Sequence, residues 1–258
     1  MVKIKEFFGA NFKTNPSMNE LYKLLGSYLN DGVAGNDDRD VVVFLSGFPL
    51  GHLMNSTDDF LGRLASKGIE FGCQKVGEFE EGSHTGEDSA LWLRGLEVPY
   101  VLVGHSEERG SYEELEAHKI RIDNLFNRKI KTALENDLNV VYCIGESKWD
   151  RSAGMVLGVL SDQSVRGLDR VSSDKMESVT IAYEPRWSIG GEPPTLDEIA
   201  RIHGSIKKTV GDGVRVVYGG GVNPGNIKGI MGLDCVDGVL VGGASLDAEK
   251  FKKIVEYR

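Results

Sequence analysis

Eight short apolar segments, separated by stretches of helical periodicity, limit the possible folds of this chain more than any other feature. The segments are rich in β-branched and aromatic residues and continuously apolar over their middle, which is typical of parallel strands covered on both faces. Between them apolar residues recur at helical spacing, as at Leu21, Leu25 and Leu29. The predicted strands are residues 3–8, 41–45, 69–73, 100–103, 140–143, 180–182, 214–217 and 239–241.

Strand and helix alternating eight times predict a closed α/β barrel of the (β/α)₈ or TIM type, in preference to an open doubly wound sheet. The length of 258 residues suits one such barrel, because single barrels commonly run to about 250 residues. No linker rich in Pro, Gly or Ser divides the chain, and no fixed sequence period appears. We therefore expect a single barrel domain over residues 1–258.

Composition and charge exclude several classes of function. The formal net charge is −9 and no block of five or six basic residues occurs, which argues against a nucleic-acid or membrane-surface partner. The longest apolar runs are far shorter than the roughly 18 residues that span a bilayer. Met1 to Glu6 lacks an apolar signal region, and Cys73, Cys143 and Cys235 lack paired or metal-ligand spacing. We therefore expect a cytoplasmic protein with reduced cysteines, no cofactor and no metal site.

Polar residues follow several of the predicted strands. Asn11 and Lys13 come after the first strand, His105 and Glu107 after the fourth, and Glu184 after the sixth. Each has an ordinary structural explanation when taken alone. Lys13 could simply be solvated, His105 could be a core histidine with all its hydrogen bonds made, and Glu184 could start a loop because a proline follows it. The carboxyl ends of all strands share one face of a barrel, however, and active sites lie on that face. The sequence therefore predicts that these side chains meet in one pocket.

Glycines are concentrated at the same strand ends. Residues 219–221 and 242–243 are glycine clusters after the seventh and eighth strands, and Gly9 is placed by the same reasoning in the loop after the first strand. Glycine loops let backbone N–H groups approach an anion, and phosphate binding after strands seven and eight recurs among barrels. Together with Lys13, the two later clusters predict a phosphate site.

Six motifs, in order along the chain, resemble those of the triosephosphate isomerase family. The resemblance extends from about residue 3 to the C terminus, and the motifs are jointly highly specific. They are Asn-Phe-Lys at 11–13, Val-Gly-His-Ser-Glu at 103–107, Cys-Ile-Gly-Glu at 143–146, Ala-Tyr-Glu-Pro-Arg-Trp-Ser-Ile-Gly at 182–190, Tyr-Gly-Gly-Gly-Val-Asn-Pro at 218–224, and the strand and phosphate loop at 236–246.

The resemblance implies a role for each polar residue singled out above. Glu184 would remove the proton next to the substrate carbonyl, while a neutral His105 polarises that carbonyl and moves protons between the two oxygens, as is established for this family. Lys13 would neutralise the charges of the phosphate and the enediolate, and Asn11 would orient the oxygens. Glu107 would take part in proton handling or position Lys13.

The resemblance also implies how the substrate is held and how the chain assembles. Residues 185–191 resemble a flexible lid that closes over the phosphate and excludes water. Residues 75–87 resemble the loop through which the family forms homodimers. The substrate would be a small phosphorylated sugar. The glycines that would present N–H groups to its phosphate are Gly190, Gly221, Gly242 and Gly243.

Several positions depart from the family pattern and leave the substrate open. Gly221 occupies the position of a serine that usually latches the closed lid, and Glu108 replaces the first of two usual arginines. The lid appears about one residue shorter, and Pro193 and Pro194 would stiffen it. The leading hypothesis is interconversion of dihydroxyacetone phosphate and D-glyceraldehyde 3-phosphate. The alternatives are a paralogous aldose–ketose isomerase for another sugar phosphate, such as a tetrose phosphate, and a catalytically silent binding module. A binding module has no need of a base facing an electrophile.

Overall fold

Eight parallel strands close into a barrel in which each strand pairs with its sequence neighbours and β1 pairs with β8. The structure is a computed structural model that describes residues 4–55, 60–110, 119–188 and 191–258, without the side chains of residues 119–121. It confirms the (β/α)₈ barrel predicted from the sequence. The strands are β1 Glu6–Asn11, β2 Arg39–Leu45, β3 Ile69–Cys73, β4 Tyr100–Val103, β5 Asn139–Ile144, β6 Val179–Tyr183, β7 Arg215–Tyr218 and β8 Gly238–Val241.

Helices cover the outside of the barrel and follow the strands. The N terminus of α9 shows how local sequence places them: the Thr195 hydroxyl accepts the Glu198 N–H at 3.2 Å, and the Glu198 carboxylate accepts the Thr195 N–H at 3.0 Å. This reciprocal pair satisfies two N–H groups that a helix start leaves without partners. The helices are α1 Met18–Asp31, α2 Gly47–Met54, α3 Phe60–Ala65, α4 Ala90–Gly95, α5 Ser106–Gly110, α6 Lys119–Glu135, α7 Lys148–Ser152, α8 Val156–Gly167, α9 Leu196–Val210, α10 Ile227–Met231 and α11 Ala248–Val255.

Alternating side chains on the strands form two apolar layers, one between the barrel and the helices and one inside the barrel. The prediction that Gly9 follows the first strand is wrong, because β1 runs from Glu6 through Asn11 and includes it. A β-carbon at Gly9 would lie 2.8 Å from both Phe7 Cε1 and Leu240 Cδ1. Gly9 therefore leaves space for large side chains in the barrel interior.

Charged side chains close the amino end of the barrel. Asp40 lies 2.7 Å from Lys5 Nζ and 2.7 Å from Arg215 Nη1, and the Arg215 guanidinium lies 4.7 Å from the centre of the Phe7 ring. Burial alone would raise the pKa of Asp40, but hydrogen bonds and charge from Lys5 and Arg215 bring it below its ordinary value. This paired charge fills the amino end of the barrel, opposite the strand ends where the sequence predicts the active site.

Three further observations concern the described part of the chain. None of its helices is long and apolar enough to cross a membrane. It also contains no group of three or more His, Cys, Asp or Glu side chains arranged to hold a metal ion. The thiols of Cys73, Cys143 and Cys235 are unpaired.

Candidate active site

A cleft of about 690 Å³ opens at the carboxyl ends of the strands. Four of the five predicted catalytic residues line it, namely Asn11, Lys13, His105 and Glu184. The fifth, Glu107, lines an adjoining cleft of about 280 Å³ that shares Asn11, Lys13 and His105 with the first. Barrel closure thus brings together side chains from β1, from the loop after β4 and from the end of β6, as the sequence predicts.

The carboxylate of Glu184 lies directly against the imidazole of His105. Glu184 Oε1 is 3.2 Å from His105 Nε2, and Glu184 Oε2 accepts the backbone N–H of Ser106 at 2.7 Å. Glu184 is only 5% exposed. A carboxylate with little access to water is a stronger base toward a carbon acid than a hydrated one.

The hydrogen bonding of His105 defines its tautomer. The backbone N–H of Glu107 donates to His105 Nδ1 at 3.3 Å, so Nδ1 acts as an acceptor and carries no proton. The proton of the neutral ring is then on Nε2, which points toward Glu184 and the cleft. This contact favours the tautomer with the proton on Nε2, which presents an N–H donor to the cleft.

Lys13 is fixed at its backbone and at its ammonium group. It has a left-handed backbone, with φ of 54°, a conformation uncommon for a residue other than glycine. Its N–H donates to Asn11 Oδ1 at 3.1 Å, and its Nζ lies 2.6 Å from Glu107 Oε1. Burial alone would raise the pKa of Glu107, but the hydrogen bond and charge of Lys13 outweigh burial and lower it. Glu107 is therefore ionised at neutral pH and restrains the lysine.

Gln74 is a site residue to which the sequence analysis assigned no role. Its Nε2 lies within hydrogen-bonding distance of three acceptors: Asn11 Oδ1 at 3.1 Å, the Lys13 carbonyl at 3.0 Å and the Phe44 carbonyl at 2.9 Å. Gln74 therefore ties Asn11 at the end of β1 and Lys13 in the loop that follows to Phe44 of β2. The available signal was its position directly after β3, where the other site residues also follow strands.

Three of the four predicted phosphate-binding glycines, Gly221, Gly242 and Gly243, line the cleft. The fourth, Gly190, lies outside the described residues, as does Ile189 of the predicted lid. Nothing lies within 4 Å of a β-carbon built at Gly221 or Gly243. The glycine loops thus leave room for a ligand beside their backbone.

The described start of the predicted lid is anchored to the barrel. Trp187 Nε1 donates to Glu146 Oε1 at 2.7 Å, and the Arg151 guanidinium lies 3.8 Å from the centre of the Trp187 ring. Glu146 is fully buried, and burial raises its pKa despite the hydrogen bonds that it accepts. Residues 186–188 are therefore held against the barrel, and the segment that follows starts from a fixed position.

The sequence profile of the triosephosphate isomerase family matches residues 6–258. The chain is also 35% identical to the triosephosphate isomerase of Thermodesulfovibrio yellowstonii, over 98% of this chain and 99% of that protein. The chain belongs to the triosephosphate isomerase family. Other triosephosphate isomerases agree: the enzyme of Syntrophotalea carbinolica is 34% identical over 98% of both chains, and that of Clostridium tetani is 39% identical over 74% of this chain and 75% of its own.

Membership of the triosephosphate isomerase family confirms the resemblance drawn from the six motifs and makes the chain an isomerase. The structure also shows three contacts that the sequence motifs do not reveal. Gln74 contacts Asn11, Gly219 lies beside Glu184, and Glu108 contacts the backbone that leads to His105. Each of the three thus contacts one of the triosephosphate isomerase motifs.

Proposed function

We propose that the protein interconverts dihydroxyacetone phosphate and D-glyceraldehyde 3-phosphate through an enediolate-type intermediate. The observation that carries this proposal is the 3.2 Å approach of Glu184 Oε1 to His105 Nε2. The pair lies in a cleft that also contains a lysine and two glycine loops. A base, a neutral hydrogen-bond donor and an anion site together suit proton transfer next to the carbonyl of a phosphorylated substrate.

The reaction requires two proton transfers at carbon. The Glu184 carboxylate removes a proton from the carbon beside the carbonyl, and the electron pair of that C–H bond forms the carbon–carbon double bond. The carbonyl oxygen takes up the negative charge, which the Nε2–H of His105 stabilises by donating a hydrogen bond and then its proton. The ring regains a proton from the neighbouring hydroxyl, and Glu184 returns its proton to the neighbouring carbon. The product is an isomer of the substrate, and these steps need no net oxidant or reductant.

Substrate binding must separate the base from the electrophile. In the structure Glu184 Oε1 lies against His105 Nε2, while Oε2 accepts the Ser106 N–H. A substrate carbonyl would replace Glu184 as the partner of His105, and the freed carboxylate would face the carbon. Binding energy from the phosphate group, remote from the reacting carbons, offsets the cost of this rearrangement.

The phosphate would lie between Lys13 and the glycine loops. Lys13 supplies the charge, restrained by Glu107 at 2.6 Å, and Asn11 orients the substrate oxygens. Backbone N–H groups of the loops after β7 and β8 supply uncharged donors, which suit a phosphate dianion. The lid of residues 185–191 would close over this group and exclude water. The glycines assigned to the phosphate are Gly190, Gly221, Gly242 and Gly243.

Steady-state rates with D-glyceraldehyde 3-phosphate and with a tetrose phosphate test the substrate. We expect kcat/KM to be higher for the triose phosphate than for the tetrose phosphate. We also expect kcat/KM for both substrates to be far lower in Glu184→Gln than in the wild type. A preference for the tetrose phosphate would favour the paralogous isomerase. If Glu184→Gln keeps both activities, Glu184 is not the base and the proposed mechanism is wrong.

We also infer that two copies of the chain form a homodimer. Phe48 is 79% exposed on α2, and it lines a cavity of about 260 Å³ that shares Lys13 and Ser46 with the cleft beside Glu107. The loop of residues 75–87 of a second copy would fill this surface, as the family resemblance implies. Sedimentation of the wild type and of Phe48→Asp tests this, since a monomeric wild type contradicts the dimer.

We further propose a cytoplasmic location for a single domain spanning residues 1–258, acting in glycolysis and in gluconeogenesis. The cysteines without disulfide partners support the location, and an isomerisation that runs in both directions serves both pathways. The partner is the sugar phosphate, with no nucleic acid or membrane involved, in keeping with a net charge of −9. Subcellular fractionation tests the location, and activity recovered with membranes would contradict it.

A further inference from the structure

A buried ion pair holds the loop that carries His105, and the mechanism above does not use it. Glu108 Oε2 accepts the backbone N–H of Gly104 at 3.0 Å, and Glu108 Oε1 lies 2.6 Å from Lys129 Nζ. Glu108 belongs to α5 and Lys129 to α6. The residue directly before His105 is thus connected through one carboxylate to a helix on the outside of the barrel.

Both members of the pair are largely removed from water. The Lys129 side chain is 4% exposed and the Glu108 side chain 16%. Each carboxylate oxygen has its own donor, one a backbone N–H and the other an ammonium group. Removing the lysine would leave a buried carboxylate without its counter-charge, which is strongly unfavourable. The carboxylate would then turn toward water and release the Gly104 N–H.

Gly104 controls the direction in which the chain leaves β4. Its φ is 73°, in the left-handed region, which glycine adopts readily. A β-carbon there would lie 3.1 Å from the Phe126 ring and 3.2 Å from the Cys143 carbonyl. On the other side of the loop, the Arg109 N–H donates to the His105 carbonyl at 2.8 Å. The Val103–Gly104 and His105–Ser106 peptides are thus both held, which fixes the backbone from which the imidazole projects.

We propose that Glu108 and Lys129 form a positioning pair that sets the direction of the His105 imidazole against Glu184. This rests on the proposed role of His105. Catalytic groups need placement to within about 0.5 Å, and a peptide that turns at Gly104 moves His105 by more than that. Glu108 also stands where the family usually has an arginine, so the pair gives this departure from the family pattern a physical role.

The chain contains a matched control at the other end of the barrel. Lys207 Nζ lies 2.7 Å from Asp237 Oδ2, both side chains are 13% exposed, and the same oxygen accepts the Val216 N–H at 2.7 Å. This pair has the same chemistry as the first and also holds a backbone N–H group. Val216, however, lies near the amino end of β7, away from the cleft. Lys207→Met therefore reports the general cost of breaking such a pair.

The experiment compares kcat, KM and Tm of Lys129→Met and Lys207→Met. We expect both to lower Tm, but only Lys129→Met to lower kcat, by about tenfold or more, with KM changed less than about twofold. Equal changes of kcat in the two variants would overturn the proposal.

Two neutral double variants keep the test valid even if Lys129→Met does not fold. Glu108→Gln/Lys129→Met retains an oxygen that accepts the Gly104 N–H, and Glu108→Leu/Lys129→Met does not. We expect the glutamine variant to have the higher kcat, by about tenfold. Equal kcat values in the two would also overturn the proposal.

A second readout does not depend on activity. The ¹⁵N shifts of the His105 imidazole, assigned by their loss in His105→Gln, report its tautomer and surroundings. We expect Lys129→Met to move them and Lys207→Met to leave them unchanged. If the wild type fails to isomerise triose phosphates, the proposed function fails, yet these shifts still decide whether the pair positions His105. Shifts unchanged in Lys129→Met would rule the positioning role out.

Discussion

A β-carbon at Gly219 would lie 2.8 Å from Cγ of Glu184. Carbon atoms pack best at about 3.5–4.0 Å, so any side chain at this position displaces the base. Position 219 therefore requires glycine because the Glu184 side chain packs against it. Gly221, in the same cluster, is instead assigned to phosphate binding.

We expect Gly219→Ala to lower kcat by about 100-fold while the protein stays folded, because a small displacement of a reacting group is costly. Gly213→Ala is the control, since nothing lies within 4 Å of its β-carbon and it precedes β7, away from the cleft. Steady-state kinetics and Tm of both variants provide the check. A Gly219→Ala enzyme as fast as Gly213→Ala would show that Glu184 adapts without loss.

Shortening the base gives an independent measure of its placement. Glu184→Asp withdraws the carboxylate from the cleft, so we expect kcat to fall by about 100-fold or more with little change in KM. Such a split is the signature of a group used in the transition state more than in binding. A near-normal kcat would remove Glu184 from its role.

Lys250 should assist phosphate binding. Lys13 and Lys250 are the cations among the described residues that line the cleft with Glu184. Lys250 and Lys253 both lie on α11, both side chains are 60% exposed, and each has an acidic partner on the surface. We expect Lys250→Met to raise KM for a triose phosphate by about threefold, an effect that salt reduces. Lys253→Met, with the same change of net charge, should leave KM unchanged. An equal KM for the two variants would show that only the overall charge matters.

Acid should destabilise the protein through His203. Burial, with a smaller effect of the Lys207 charge, lowers the pKa of His203 to about 3, although a backbone hydrogen bond at Cys235 opposes this. The unfolded chain binds a proton at this histidine below about pH 6.5 and the folded chain does not, so stability is lost as pH falls from there toward 3.

At pH 5 this loss amounts to about 2 kcal/mol of the free energy of unfolding. Urea unfolding at pH 7 and pH 5, at fixed protein concentration, measures it. We expect His203→Phe to lose less stability on acidification than the wild type. Equal acid sensitivity in the two proteins would exclude His203 as the source.

The open space at Gly221 allows a test of the lid. If the closed lid lacks one hydrogen bond here, Gly221→Ser should tighten the binding of phosphoglycolate by about fivefold. Binding of inorganic phosphate should not change, because it does not require lid closure. Calorimetric titration with both anions separates the two cases. Weaker phosphoglycolate binding would indicate a lid reshaped for another substrate.

The barrel could be predicted from the alternation of apolar segments, but the ends of its elements could not. β1 is displaced from the predicted 3–8 to Glu6–Asn11. Gly9 and Asn11 have low intrinsic strand propensity, so the sequence pattern ended the strand before them. The strand continues through Gly9 because packing favours a glycine there, where it leaves space for Phe7 and Leu240 inside the barrel.

The sequence could predict that the polar side chains proposed for catalysis lie together, because they follow strands whose ends must meet. Gln74 and Glu108 could not be assigned in the same way, since their roles depend on partners that only the fold identifies. Glu108 meets Lys129 on the next long helix. Gln74 meets the Phe44 carbonyl on β2 and the Lys13 carbonyl in the loop after β1. Likewise, the sequence marks a run of glycines after β7, and only packing against Glu184 shows that Gly219 is the one under constraint.

The seam between β1 and β8 affects how the protein is made. Ala10 pairs with Val241 across it, so Lys13 and the last glycine loop meet although more than 200 residues separate them in the sequence. During translation the lysine therefore emerges long before its phosphate-binding partners after β8. Contacts between such distant residues form late, because a long loop must close first. A ribosome-bound chain that has not yet released β8 therefore lacks the complete phosphate site, and ligand cannot assist folding through that site until β8 has emerged.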